Sequence, residues 1–170
     1  MQISLICELD HEKESAIIGD CMITSTSNAK IKNLIKCMKM AKERKKQDIY
    51  LVEGLRMFME IPKEKHVETY VTESFFVAHQ ELFAELSYEL VADHVMSAVA
   101  DTKTPQGVVS IVKRSHYEVA EVCSGKKPLI MALENLQDPG NLGTIVRTAE
   151  GAGVTGILMS KDTVLSLIHI

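Results

Sequence analysis

Two groups of residues in this chain have the types and spacing to do chemistry. The first lies in the run from Leu129 to Ser160, LIMALENLQDPGNLGTIVRTAEGAGVTGILMS. Its polar and glycine positions include Glu134, Asn135, Asn141, Gly143 and Arg147. Arginine keeps its charge at any physiological pH and suits a phosphate or a developing anion. Gly143 stands one helical turn before Arg147, so no side chain lies beneath the guanidinium. Asn141 has a side-chain oxygen able to cap a helix by accepting from one of its orphan amides. Spacing alone leaves two readings open for Arg147: a functional cation, or the surface partner of Glu150.

The second group is basic. Lys30, Lys32, Lys36, Lys39, Lys42, Arg44, Lys45 and Lys46 are eight of the nineteen lysines and arginines, and only Glu43 opposes them between Lys30 and Lys46. A cluster this dense steers and holds polyanions whatever the whole-chain charge, which is −4. The plainer reading, a solvated lysine-rich helix, stays open beside it.

These residues need elements to position them. Leu129–Leu133 is an apolar run of interior-strand length, and residues 135–141 pack an amide, an acid, a proline and a glycine into a loop. From Leu142, the residues Leu142, Ile145, Val146 and Ala149 recur at helical spacing. Gly151 and Gly153 end that helix, and residues 154–159 are apolar again. The pattern predicts a βαβ crossover between parallel strands. Upstream, Thr24–Asn28 offers caps for an amphipathic helix with Ile31, Leu34, Ile35, Met38 and Ala41 on one face; the lysines hold the other, and the helix runs on to Lys46.

Between the two groups, short strands and helices alternate. Residues 48–53 read as a strand broken by Gly54, where Glu53 and Gly54 either present a polar group to a ligand or make a plain turn. A helix from Leu55 ends before Pro62. A strand over 67–71, a helix over 75–86, a strand over 88–91, a helix over 95–99 and a strand over 108–112 follow. This alternation predicts a compact α/β sandwich over 22–113. Residues 114–127 read as a linker with at most one short element, and the βαβ unit occupies 128–170.

Composition narrows the classes. The chain of 170 residues is ordinary for a globular protein and long enough for one domain or two small ones. Cys7, Cys21, Cys37 and Cys123 make no CxxC and have no histidine at ligand spacing, so neither a metal site nor a disulfide framework is expected. His11, among Glu8, Asp10, Glu12 and Glu14, reads as part of a solvated segment. No run is long enough to span a bilayer and no signal peptide is evident, so the expected setting is cytoplasmic, without a membrane partner. A GxGxxG loop directly after a strand is missing, which argues against a dinucleotide oxidoreductase. No Ser-His-Asp arrangement can be assembled either. Residues 1–21 fit poorly with the rest of the chain, and Met22 is an alternative start.

The stretch from Glu134 to Ala149, ENLQDPGNLGTIVRTA, resembles the first signature motif of the TrmH/SpoU family, RNA ribose 2′-O-methyltransferases of the knotted SPOUT class. The upstream part is similar to that family's substrate-binding domain, with an L30e-like fold. Residues 31–46, then Leu51-Val52-Glu53-Gly54 and Thr104-Pro105-Gln106-Gly107, are its landmarks. The resemblance covers roughly 22–164 and implies a concrete chemistry. S-adenosylmethionine would give a methyl group to a ribose 2′-hydroxyl of rRNA or tRNA. Arg147 and Asn141 would be catalytic, and Glu134, Asn135 and Gly143 would shape the site. Lys30, Lys32, Lys36, Lys39, Arg44, Lys45 and Lys46 would meet RNA, which this family binds chiefly through phosphate and ribose. DNA is not expected as a partner, and a homodimer is expected of the full-length family form.

The resemblance stops short of the family's later motifs, a glycine-rich segment and a Ser-Leu-Asn stretch. These complete the knot and most of the cofactor pocket. Residues 166–170 do not look like their continuation. The expectation is therefore an incomplete SPOUT domain that neither binds cofactor nor turns over by itself. A non-catalytic RNA-binding module is the alternative.

Overall fold

The structure, a computed structural model, describes residues 22–160 and Thr163. The expectations for His11, Cys7, Cys21, the rest of residues 1–21 and residues 166–170 lie outside the described residues. The chain divides into two compact units that part between Lys113 and Arg114.

The first unit is built on a four-stranded mixed sheet. Helix α1 (Ala29–Lys39) starts at Asn28, whose side-chain oxygen accepts from the Lys30 amide at 2.8 Å. Helix α2 (Ala41–Gln47) leads into β1 (Ile49–Glu53) and α3 (Leu55–Met59). Strand β2 (His66–Val71), helix α4 (Glu73–Ala78), strand β3 (Tyr88–Leu90), helix α5 (Asp93–Val99) and strand β4 (Val108–Lys113) complete it. The strand order is β1-β4-β2-β3. β4 runs antiparallel to both β1 (Leu51 opposite Ile111) and β2 (Tyr70 opposite Val109), and β3 joins β2 in parallel.

Alternation along the strands sorts two cores. Ile49 and Leu51 of β1, Tyr70 of β2 and Val109 and Ile111 of β4 face Ile31, Leu34, Met38, Val95 and Val99 of α1 and α5. Val71 and Val108 face the other way, onto Phe58, Phe75 and Phe83. β4 is buried from Val108 to Val112 because both faces are covered.

Two helices are shorter than their periodicity predicts. The helix expected over 31–46 breaks at Met40, whose backbone is extended (φ −126°). The helix expected over 75–86 stops at Ala78, and a single tight turn (Gln80–Phe83) follows. Seven residues of α-helix rise about 10 Å, yet the rings of Phe76 and Phe83 lie 5.4 Å apart. The break lets Phe83 fold back among Phe58, Phe76 and Tyr88.

The second unit holds α6 (Val119–Val122), strand β5 (Ile130–Leu133), helix α7 (Pro139–Gly151) and strand β6 (Gly156–Met159). β5 and β6 pair in parallel, Ile130 opposite Gly156, as a βαβ crossover demands. Residues 114–127 are more than a connection. α6 carries a capping box between Glu118 and Glu121, and a Cβ on Gly156 would lie 2.2 Å from Val122 Cγ1. No helix among the described residues is long and apolar enough to cross a membrane.

Candidate active site and RNA interface

In the second unit the chain leaves β5 through Asn135, whose φ of +49° falls in the left-handed region that asparagine tolerates. Its amide donates to Ser160 Oγ at 3.0 Å, and its side-chain oxygen accepts from Gln137 Nε2 at 2.7 Å. The ends of the two parallel strands are thus tied together beside the loop. Ligands of parallel sheets meet protein at this end.

Asn141 does not cap α7. The helix starts three residues earlier than its apolar stripe suggests, with Asp138 as the cap, accepting from the Asn141 amide at 2.6 Å. Pro139 takes the first helical position, where a fixed φ helps and a missing amide costs nothing. An Asp-Pro pair is a readable helix start, and it is the stronger signal here. Asn141 lies in the first turn with its side chain exposed, and its capping role passes to Asp138.

Arg147 sits one turn further on. Its guanidinium lies over Gly143, where an added Cβ would stand 3.5 Å from Nη1. Nη2 donates to Thr144 Oγ1 at 3.3 Å, and that hydroxyl donates to the Gly140 carbonyl at 3.0 Å. Among the described residues no ion pair joins Arg147 to Glu150. The surface-pair reading therefore fails, and Thr144, which spacing did not single out, holds the arginine. Leu142 and Ala149 are buried beneath, while Val146 of the predicted stripe is exposed. Glu134 is exposed at the mouth of the loop.

Ala132 and Met159 are exposed on the strands β5 and β6. The Asn135 amide, the Ser160 and Thr163 hydroxyls and the Leu133 carbonyl satisfy one another. Among the described residues no His, Cys, Asp and Glu gather as a metal site.

In the first unit the basic group separates into three kinds. Lys32, Lys39, Lys42, Lys45 and Lys46 are exposed. Lys30 is bound to the Glu68 and Glu89 carboxylates, and Lys36 lies 3.3 Å from Glu43. The two carboxylates raise the pKa of Lys30. Arg44 leaves the patch altogether. It is buried, and its Nη1 donates to the carbonyls of Cys37 and Met38 at 2.7 and 3.0 Å. It caps the last turn of α1, which is why the helix can break at Met40.

The same unit brings two distant landmarks together. Gln106 Oε1 accepts from the Leu55 amide at 2.9 Å, across 51 positions of sequence. The Glu53 carboxylate accepts from the Asp101 amide at 3.0 Å and from the Thr102 hydroxyl.

The chain is similar to several known proteins. Residues 28–110 match the MRM3-like substrate binding domain. Over 143 residues the chain is 29% identical to the 23S rRNA (guanosine(2553)-2′-O)-methyltransferase RlmP of Bacillus subtilis, covering 83% of this chain and 55% of that protein. The SpoU methyltransferase AviRb of Streptomyces viridochromogenes superposes with a TM-score of 0.65 at 16% identity, over 83% of this chain and 54% of that one. The chain belongs to the SpoU/TrmH family. The family fold is shared further with the AdoMet-bound rRNA methyltransferase of Sinorhizobium meliloti (TM-score 0.72, 24% identity, 86% of this chain and 56% of that one). The chain spans a little over half the length of each of these three proteins.

Proposed function

We propose that the chain is the RNA-binding and first catalytic portion of an S-adenosylmethionine-dependent ribose 2′-O-methyltransferase acting on rRNA or tRNA. The first unit, read as L30e-like, takes hold of RNA through the exposed lysines of α1 and α2. The second begins a knotted SPOUT domain, and the complete enzyme works as a homodimer. The observation that carries the reading is the exposed Arg147 guanidinium, seated over Gly143 and held by Thr144 beside the loop that leaves β5.

The bound cofactor would supply an electrophilic methyl group. The chain's own contribution is electrostatic. The ribose 2′-hydroxyl gives its proton to a solvent base as its oxygen takes the methyl carbon, and negative charge gathers on that oxygen to the extent that proton loss runs ahead of bond formation. Arg147 stays protonated and can neither take that proton nor lose its own. It orients the neighbouring phosphate and stabilises the oxygen as charge develops. Asn141 and Asp138 hold the loop against which the nucleotide is placed, with Glu134 and Asn135 at its edge.

The half-exposed β5–β6 pair supports the further proposal that this length of chain neither binds S-adenosylmethionine nor turns over by itself. Parallel strands are ordinarily covered on both faces. Calorimetry with S-adenosylmethionine on the 170-residue chain should show no micromolar binding. In a protein carrying the complete catalytic domain, Arg147→Ala should abolish methyl transfer and leave RNA affinity near wild type. Undiminished turnover would remove Arg147 from the catalytic centre, whereas RNA binding without any turnover in the wild-type complete protein would favour a non-catalytic RNA-binding module.

A further inference from the structure

Beyond the lysine face, the first unit carries a groove of about 270 Å³ between Gly54, Arg56 and Met57 on one side and Thr104 and Gln106 on the other. We propose that this groove receives one unpaired nucleotide of an RNA loop. The proposal rests on the RNA-binding reading above and adds a second, base-reading contact to it.

The chemistry of the lining decides the ligand class. The Gln106 oxygen is held inward by the Leu55 amide, and only the oxygen end of an amide can accept that bond. The nitrogen end is the one left for a ligand. A Cβ at residue 54 would stand 2.8 Å from this oxygen, and the φ of +92° there also favours glycine. Gly54 is thus the position that lets the amide lie across the backbone.

Glu53, the carboxylate of the lining, is already engaged by Asp101 and Thr102. The exposed residues that complete the lining each bring a group able to donate: the Gln106 amide nitrogen, the Arg56 guanidinium and the Thr104 hydroxyl. Met57 adds an apolar wall. A donor-rich groove with one apolar side suits a flat ligand that is rich in acceptors and carries a negative charge beside its ring. A nucleotide has that form, with phosphate on Arg56, a base carbonyl or ring nitrogen on Gln106, and the base face on Met57. Sequence is read in RNA mainly at such unstacked bases. Strand β1, about 16 Å long at the ordinary rise, separates the end of α2 from this groove, so one RNA loop can meet both.

The test uses the full chain and four fluorescent RNA hairpins that share one stem and carry loops of A, G, C or U alone. Wild type should prefer one loop over the others by anisotropy. Gln106→Glu keeps the acceptor for Leu55 and places an oxygen where the outward nitrogen stood. It should lose the loop preference and weaken binding to the preferred hairpin about tenfold. Arg56→Gln, at the exposed rim, should weaken all four hairpins alike and lower the salt slope by about one.

Wild-type binding that ignores loop identity overturns the proposal. So does binding unchanged in both variants while reversal of Lys32, Lys39, Lys45 and Lys46 weakens it; that result leaves the RNA reading standing. Failure of wild type to bind any hairpin removes the RNA reading and the groove with it.

Discussion

Arg44 Nη1 lies 2.7 Å from the carbonyl oxygen of Cys37, so a residue that reads as one more phosphate-facing cation is the cap of the helix before it. A cation at a helix C-terminus answers both the orphan carbonyls and the negative end of the dipole. Arg44→Ala should destabilise the first unit by about 3 kcal/mol, because two carbonyls lose a charged donor inside the protein. Arg44→Lys should fall between, since an ammonium cannot match the planar fork. Urea unfolding checks this, and a midpoint equal to wild type would make the cap incidental.

The exposed lysines predict a different signature. Glu substitutions at Lys32, Lys39, Lys45 and Lys46 should leave unfolding nearly unchanged and weaken RNA binding. The slope of log K against log salt should fall by roughly 0.7 for each phosphate no longer neutralised. Lys30→Ala should do little to RNA binding, because Glu68 and Glu89 already hold that ammonium. A salt slope unchanged in the fourfold variant would place the RNA surface elsewhere.

His66 gives the first unit a pH dependence. Burial holds its pKa below the ordinary histidine value, with the Glu68 charge opposing less strongly, and Nε2 lies 2.6 Å from Thr69 Oγ1. The unfolded chain takes up this proton from about pH 6.5 downward, while the folded chain resists until lower pH. The contribution is therefore whole above that value and is lost as pH falls through the window to the folded pKa. His66→Gln should flatten this part of the stability–pH curve. A curve that keeps its shape in the variant would assign the dependence to other groups.

Much of this architecture is legible in the residues, and the exceptions share a cause. Ile31, Leu34 and Met38 declare α1 by their spacing, and the two apolar runs flanking α7 declare parallel strands. Periodicity reports which face is buried, and it carries no information on where a helix is interrupted. Met40 and His79 interrupt helices because side chains fold back in space: Arg44 onto the end of α1, Phe83 onto Phe58 and Phe76. The site follows the same division. Gly143 and Arg147 at one-turn spacing are visible in one dimension. Gln106 lying across Gly54 is a meeting of landmarks that only the antiparallel β1–β4 pairing produces.

Asp138, rather than Asn141, should control the start of α7. Asp138→Ala removes the acceptor of the Asn141 amide and should cost about 1 kcal/mol. Asn141→Ala should cost little stability, because its amide rather than its side chain makes the capping bond. Chemical unfolding of the pair separates the roles, and equal losses would return the cap to Asn141.

Thr144 should act on the reaction through Arg147. Its hydroxyl accepts from Nη2 and is itself anchored on the Gly140 carbonyl, so it fixes the guanidinium over Gly143. Thr144→Val keeps the shape of the side chain and removes the acceptor. In a protein carrying the complete catalytic domain it should lower kcat about tenfold, the rate equivalent of one hydrogen bond of ~1.4 kcal/mol. KM for RNA should stay near wild type, because the lysine face is untouched. Thr144→Ser restores the hydroxyl and should restore most of the rate. A loss of helix stability alone would lower the amount of active enzyme in both variants, and serine would then give no selective rescue. Recovery of kcat by serine but not by valine is the result that makes Thr144 the positioning residue of Arg147.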